Sequence, residues 1–563
     1  IEQHDDNAAA ILGVYLVETP KEDCHEEERR HRGFLLLRSS ALEGNLEDHL
    51  RIQAFFELGH CYYYGIGTET NIEEAYTWYA RAAESGSEGA QYLAASLILD
   101  KRCSETDTAK AIAWLRQAAE QGCMYSTMRL GECYLEGNVV PKDAEEAFQW
   151  FQKSAELGNP AAVNMVGRCY MDGNGVEQDR EKAFQYFQKA SEAGDESAMF
   201  NLADCYFNGL GTEQSEEQAV PWYQKAAEAN ISIAQYMLGT CYHFGKGVSP
   251  NEELALHWLR KAAEQDYVGA QYALGTLLFR NEDSGENDAE AVRWLERAAE
   301  LGDIGSQVKL GVCYQDGYNV LEQGKVCFKE DMEKAVELFQ NAAEQGDAEG
   351  QFQLANSYRF GLGVKKNVPK MLYWLRLSAM QGYAEAQYAL GICYQDGIGV
   401  KADIEKAMDW YERSAAQNYP DAICSVGMYY LDEEDDVETA KRLVYKAAQM
   451  DCPEAQYLMG MFLYEGDDSE EDEEAVAWFR MAARYQNHGG AMGMLGYCYM
   501  NGTGVEQDDE MARAWLKRAA ECQDYDAIEL LKNYYMIDDY DDFEYEDYGD
   551  EPEYDDEDDD WED

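Results

Sequence analysis

Residues 234–269 read AQYMLGTCYHFGKGVSPNEELALHWLRKAAEQDYVG, and the spacing of their apolar side chains decides the fold. Ala234, Met237, Leu238, Cys241 and Tyr242 recur at helical spacing and predict a first helix of about three turns. Gly245 and Gly247 interrupt it, because glycine disfavours helix interiors and supplies turn geometry. A second helix is expected from near Asn251, with Glu252 and Glu253 suited to the positive end of its dipole. Its apolar face includes Leu254, Ala255, Trp258, Leu259 and Ala262. No segment sustains a two-residue alternation, so strands are not expected. The unit is a helical hairpin.

The same unit recurs through most of the chain. Small residues return at Ala54, Ala90, Ser126, Ala162, Ala198, Ala234, Ala270, Ser306, Gly350, Ala386, Ala422, Ala455 and Ala491. Ten of the twelve intervals are 36 residues; the others are 44 and 33. A fixed period of this size means stacked supersecondary units sharing a continuous core, and an extended surface instead of a pocket. Three registers carry the packing. Five residues after each start stands glycine, or alanine at Ala95, Ala203 and Ala355, so anything larger is expected to clash with a neighbouring helix. Near the end of each second helix comes a pair such as Ala82-Ala83, Ala226-Ala227 or Ala519-Ala520, drawn only from Ala and Ser. Ten of eleven tryptophans share a third position, from Trp78 and Trp114 to Trp478 and Trp515. They are expected to wedge each helix pair against the next, so truncating one to alanine costs on the order of 3–5 kcal/mol.

The pattern A-x3-LG-x2-Y-x2-G-x-G-V, followed by A-x2-W and an Ala-Ala pair, resembles the SEL-one-like repeat (SLR) family, relatives of the tetratricopeptide repeats. Ala386–Gly399 with Trp410 and Ser414-Ala415 is a clean copy, as is Ala491–Val505 with Trp515 and Ala519-Ala520. The resemblance spans roughly residues 54–535; the turn glycines are missing in the units starting at Ala90, Ala270, Ala422 and Ala455. It implies an all-α fold, a right-handed α/α superhelix of 13–14 hairpins that serves as an adaptor for protein complexes.

The organisation expected is a degenerate capping repeat over 1–53, thirteen repeats over 54–526 and a capping helix over 527–537. In the first, Leu12-Gly13 and Ser40-Ala41 echo the two helices. An insertion at 318–330 accounts for the long interval. Residues 538–563 form a tail in which 18 of 26 residues are acidic. Tyr540, Phe543, Tyr545, Tyr548, Tyr554 and Trp561 punctuate it. Like-charge repulsion and scarce aliphatics predict disorder there.

The net charge is −64, and −46 of it lies outside the tail. Phosphate contact needs a basic footprint and anionic lipid repels such a chain, so nucleic acid and membrane are not expected partners. A protein or peptide, in particular a basic one, is favoured. No run of 18 apolar residues suggests a membrane span. Eight of fifteen cysteines share one register, beginning with Cys61, Cys133 and Cys169. Equivalent positions one repeat apart exceed disulfide reach, so these are read as reduced, buried side chains of a cytoplasmic protein.

No catalytic constellation or cofactor site stands out. The Gly-x-Gly pairs lack a preceding strand and the Gly-Lys-Ser/Thr ending of a phosphate loop, so they read as inter-helix turns. Cys24, His25 and His31 do not match zinc spacing, and the acidic loops at 432–436 and 467–474 lack a calcium-loop pattern. His243 and His257 have no paired acid or nucleophile. The expectation is a non-enzymatic scaffold, monomeric apart from its partner. In the resembled family first helices line the concave side, which makes His60, Glu132, Arg168, Asp204, Thr240 and Tyr497 contact candidates. The alternative is an acidic inhibitor or chaperone that masks a basic, nucleic-acid-binding surface through its tail.

Overall fold

The computed structural model describes residues 6–18, 26–43, 46–279, 285–316, 321–322, 325–326, 331–432, 436–464, 469–484 and 488–535. Cys24, His25 and the acidic tail lie outside the described residues. Twenty-nine helices are described, consecutive ones packing as hairpins that stack on the next pair. They fall into two compact units, Ile1–Leu274 and Gly275–Asp563, each with the same internal construction.

The hairpin over 232–264 shows how local sequence builds the unit. Its first helix, Ser232–Phe244, stops at Gly245, whose φ of 69° is left-handed; the Gly245 N–H donates to the Cys241 carbonyl. Asn251 then closes the hairpin twice. Its N–H donates to the Tyr242 carbonyl at 2.9 Å, and its side chain accepts from the Leu254 N–H at 3.0 Å, capping Glu252–Glu264. Asp143, Asp179, Asn367, Asp403 and Asp508 repeat this clamp. Leu254 departs from expectation. It is exposed, and the buried face of the second helix is Ala255, Leu259, Ala262 and Ala263.

The glycine register works by contact with one particular neighbour. A Cβ on Gly59, Gly131, Gly311 or Gly460 would lie 2.4–2.5 Å from the ring of Tyr79, Phe151, Phe339 or Phe479. Each of those residues follows the tryptophan position by one and is essentially fully buried. Tryptophan itself is corrected by the structure. Only Trp78 and Trp114 are buried; Trp150, Trp222, Trp258, Trp294, Trp374, Trp410, Trp478 and Trp515 are half-exposed. Their outer faces carry cations: Lys225 Nζ sits 3.9 Å from the Trp222 ring centre, Arg413 4.5 Å from Trp410 and Lys261 4.7 Å from Trp258. The tryptophan is the outer, amphipathic flank of the wedge, and the next residue is its point.

Successive repeats are joined by three devices. The start residue meets the small pair of the preceding hairpin: a Cβ on Gly350 would lie 2.7 Å from Ala342 Cβ. The second turn glycine abuts backbone, since a Cβ on Gly175 would sit 1.9 Å from the Ala144 carbonyl oxygen. Seven buried glutamines supply the third device: Gln91, Gln235, Gln271, Gln307, Gln351, Gln387 and Gln456. Each donates to a carbonyl eight residues back, at the end of the preceding second helix, as Gln235 does to Ala227 at 3.1 Å. Five accept in turn from a glutamine ending their own repeat's second helix, as Gln387 does from Gln417 at 2.9 Å. A buried helix end is thereby satisfied.

The ends and the insertion refine the expected boundaries. The first helix of the repeat starting at Ala54 begins at Asp48, so the 53/54 boundary falls inside a helix. Before it, Asp6–Glu18 and Glu26–Glu43 form a hairpin whose Leu37 is buried against Gly13. Leu12, in the register where Leu58, Leu130 and Leu238 are fully buried, is 45% exposed. The last helix, Tyr525–Tyr535, places Lys532 where repeats carry glycine. Within 318–330 two short antiparallel strands pair Leu321 with Val326 and Glu322 with Lys325, against the expectation of none.

Two substitution pairs test this packing. Phe151→Ala is expected to cost about 3–5 kcal/mol and Trp150→Ala clearly less, as read from urea-unfolding midpoints. Gly175→Ala is expected to exceed Gly158→Ala by about 1–3 kcal/mol. Both glycines have positive φ, but a Cβ at Gly158 meets nothing within 4 Å.

Candidate partner-binding face

Within each unit, first helices of neighbouring repeats approach one another more closely than second helices do. Pro160–Asp172 touches Glu196–Asn208, and Pro420–Asp432 touches Pro453–Tyr464. Each unit's stack therefore bends toward its own first helices, whose outward residues form a strip within that unit. The contact candidates lie there.

In the first unit the strip opens on an aromatic group. His60 lies 4.4 Å from Phe56 and 5.8 Å from Tyr64, ring centre to ring centre, with Glu57 3.9 Å away. Arg102 donates to the Tyr63 hydroxyl and lies over that ring. One repeat on, Arg129 bridges Asp100 and Glu132, the latter at 2.9 Å. Burial works against the Arg129 charge, but the Glu132 hydrogen bond and the two carboxylates hold its pKa above the ordinary value. Glu132 is thus already paired within the fold. Arg168 is exposed and has no carboxylate partner among the described residues; its Nη1 rests 3.7 Å from Met165 Sδ.

Asn201 donates to Asn164 at 2.8 Å. Beside them Asp204 accepts from Asn208 at 2.7 Å and from the Tyr223 hydroxyl at 3.5 Å. Burial pushes the Asp204 carboxyl up, although both hydrogen bonds oppose this. Thr240 donates to its own helix, to the Met237 carbonyl at 2.7 Å, leaving its methyl outward. In the second unit Tyr497 is exposed and meets Tyr464 edge-on at 6.4 Å. The six aromatics proposed in the tail lie outside the described residues.

Sequence reasoning missed the most regular part of this strip. Two residues after the start stand Phe56, Tyr92, Phe200, Tyr236, Phe352, Tyr388 and Tyr457, all half-buried, and Tyr272, 37% exposed. Several stack on an aromatic leading the next first helix: Tyr236 on Tyr267 at 5.2 Å, Phe352 on Tyr383 at 5.5 Å and Tyr457 on His488 at 5.0 Å. The recurrence itself was readable at that register.

Metal and turn motifs resolve plainly. His31 Nδ1 lies 2.8 Å from the Gly67 carbonyl oxygen and fastens a turn. No cluster of three or more potential metal ligands occurs among the described residues. Asp436 caps a helix by accepting from the Thr439 N–H at 3.1 Å. The turn glycines shape two open grooves against the start of the preceding second helix, one bounded by Asp143, Ala144, Gly173 and Gly175, the other by Ser215, Glu216, Gly245 and Gly247. None of the described helices is long and apolar enough to cross a membrane.

A family model described as the Sel1 repeat matches twelve segments: 53–87, 90–123, 125–159, 160–195, 196–231, 232–267, 268–303, 304–347, 348–383, 384–419, 453–484 and 490–524. The chain belongs to the Sel1 repeat family. Between the tenth and eleventh matches the structure nonetheless has a hairpin, Pro420–Asp432 and Val437–Ala448. Among solved structures the chain is similar to c5321, a protective antigen of uropathogenic Escherichia coli with an SLR fold. The two share 33% identity over 74% of this chain and 89% of that one, with a TM-score of 0.60. It is also similar to a Sel1 repeat protein of Oxalobacter formigenes, at 28% identity over 56% of this chain and 88% of that one, TM-score 0.42. A search of curated proteins gives no match. Sel1 repeat proteins are generally protein-interaction scaffolds.

The cysteine register predicts an alkaline transition. Burial pushes the thiols of Cys61, Cys205 and Cys498 up to about 12, and those of Cys133, Cys169, Cys241 and Cys393 to about 11. Below pH 9 they are protonated in folded and unfolded chains alike. Between about 9 and 11–12 only the unfolded chain releases these protons, so their stabilisation is lost as pH rises. Urea midpoints are expected to fall between pH 8.0 and 10.5, and replacing Cys169 and Cys205 by alanine flattens that slope.

Proposed function

We propose that the protein is a non-enzymatic scaffold that binds a protein or peptide along the first-helix strip of its repeats. One observation carries the reading. The strip combines a recurring row of half-buried aromatics with polar groups not consumed by the fold, above all the exposed Arg168, without a carboxylate partner among the described residues, between the aromatic clusters at Phe56–Tyr64 and Phe200–Phe207. Such surfaces bind through a few aromatic and arginine anchors among many weak contacts. The remaining acidity favours a partner that is basic overall. Buried thiols such as Cys61, Cys133, Cys169 and Cys205, which form no disulfide, fit a reducing, cytoplasmic setting.

The test is affinity purification from the native cell with three proteins: the unaltered chain, Asn201→Trp on the strip, and Glu217→Trp on an outer second-helix face. A partner retained by the unaltered chain and Glu217→Trp but lost from Asn201→Trp supports the reading. Equal retention by all three removes it. The tail-borne inhibitor reading makes a different demand, namely that 0.5 M salt releases the partner whatever stands at position 201.

A further inference from the structure

One repeat breaks the charge rule of the whole molecule. Among 110 acidic residues in the chain, none falls within 350–384, which carries Arg359, Lys365, Lys366, Lys370 and Arg376. Lys365, Lys366 and Lys370 are exposed around the start of the helix Val368–Met380; among the described residues none of them pairs with a carboxylate, and Lys370 donates to the Tyr358 hydroxyl at 3.4 Å. The same flank continues into Tyr373, one turn on from Lys370 and 59% exposed, and Met380, two turns further and 77% exposed. At the end of the preceding first helix Phe360 is also exposed, with the Arg359 guanidinium 5.2 Å over its ring. A cationic, partly apolar surface therefore stands in the second unit of a chain of net charge −64.

The sequence holds one segment of the complementary chemistry, acidic residues interleaved with aromatics, and it belongs to the same unit. We propose that residues 538–563 dock on the Lys365–Lys366–Lys370–Tyr373–Met380 face of their own chain. The carboxylates meet the lysines, and the tail's aromatic rings meet Tyr373, Met380 and the ammonium groups. Nine helix-to-helix steps separate Val368–Met380 from Tyr525–Tyr535. At about 8–10 Å each these bound the distance at roughly 90 Å. The 28 residues after Tyr535 reach about 90–100 Å when extended. Tethering supplies a high effective concentration, so individually weak contacts suffice. The proposal goes beyond the partner reading above, because it concerns a second-helix face and needs no second protein.

Zero-length carbodiimide coupling of the full chain, read by mass spectrometry, tests it. Lys365, Lys366 and Lys370 are expected to couple to carboxylates of 538–563, with yields falling at least tenfold in 0.5 M NaCl. A mixture of isotope-labelled and unlabelled chains should give same-isotope pairs. Replacing all three lysines by glutamate should open the tail to protease, whereas replacing them by arginine should keep it protected. Unchanged melting temperatures establish that both variants are folded. Tail couplings spread evenly over Lys401 and Lys517, mixed-isotope pairs, or equal protease sensitivity of the glutamate and arginine variants would each overturn the proposal.

Discussion

A ring on the second helix pressed against a residue without a side chain on the first is the contact on which the rest depends. At Gly59, Gly131, Gly311 and Gly460 the two helices are close enough that one added carbon would enter an aromatic ring. The helix interior accepts glycine's cost of about 1 kcal/mol because close approach buries a whole aromatic side chain in return. That closeness sets the height of the hairpin. It brings the Ala/Ser pair under the next start residue, and the second turn glycine against the backbone of the preceding second helix. Ala95, Ala203 and Ala355 show that one methyl is tolerated at single repeats.

Much of this was legible before any coordinates. Helix limits, turn glycines and the small-residue pair follow from a period repeated thirteen times. The errors share a cause: periodicity locates an apolar stripe but does not say which of two adjacent large residues points inward. Trp150 and Phe151 are equally apolar to a sequence reading, yet the six-membered ring of Phe151 fits under Gly131 and the indole is left at the rim, where Glu146 accepts from its Nε1 at 3.1 Å. Leu254 was placed inside for the same reason. Polar burial was equally opaque, because glutamine reads as surface until its carbonyl partner is known. Of the candidate site, the first-helix strip was identified through the family resemblance. Its aromatic row is less legible because the register varies, with Met128, Asn164, Val308 and Cys424 standing between the rings.

The tryptophan rims also explain where the molecule's positive charge resides. Lys153, Lys225, Lys261, Arg297, Arg413 and Arg518 each lie over the ring three residues earlier on their own helix. These six of the 46 basic side chains are held against indole, and with 110 acidic residues in the chain the acidic side chains dominate what an approaching molecule meets. Against that background the strip of first helices differs in character, with aromatics in place of charge and only scattered ions.

The buried glutamines reach further than satisfying helix ends. A chain of near-identical hairpins faces a problem of address, because skipping one unit during folding would leave apolar contacts almost as good as the correct ones. The position after each start is not uniform: Gln91 is followed by Thr127, Val163 and Met199, and only then by Gln235. Each buried amide donates to a backbone carbonyl only eight residues back, and losing that carbonyl in the dry seam would cost about 1–3 kcal/mol. Where glutamine does stand, as in the five consecutive repeats from Gln235 to Gln387, it ties the end of one hairpin to the start of the next through partners that are close neighbours in sequence.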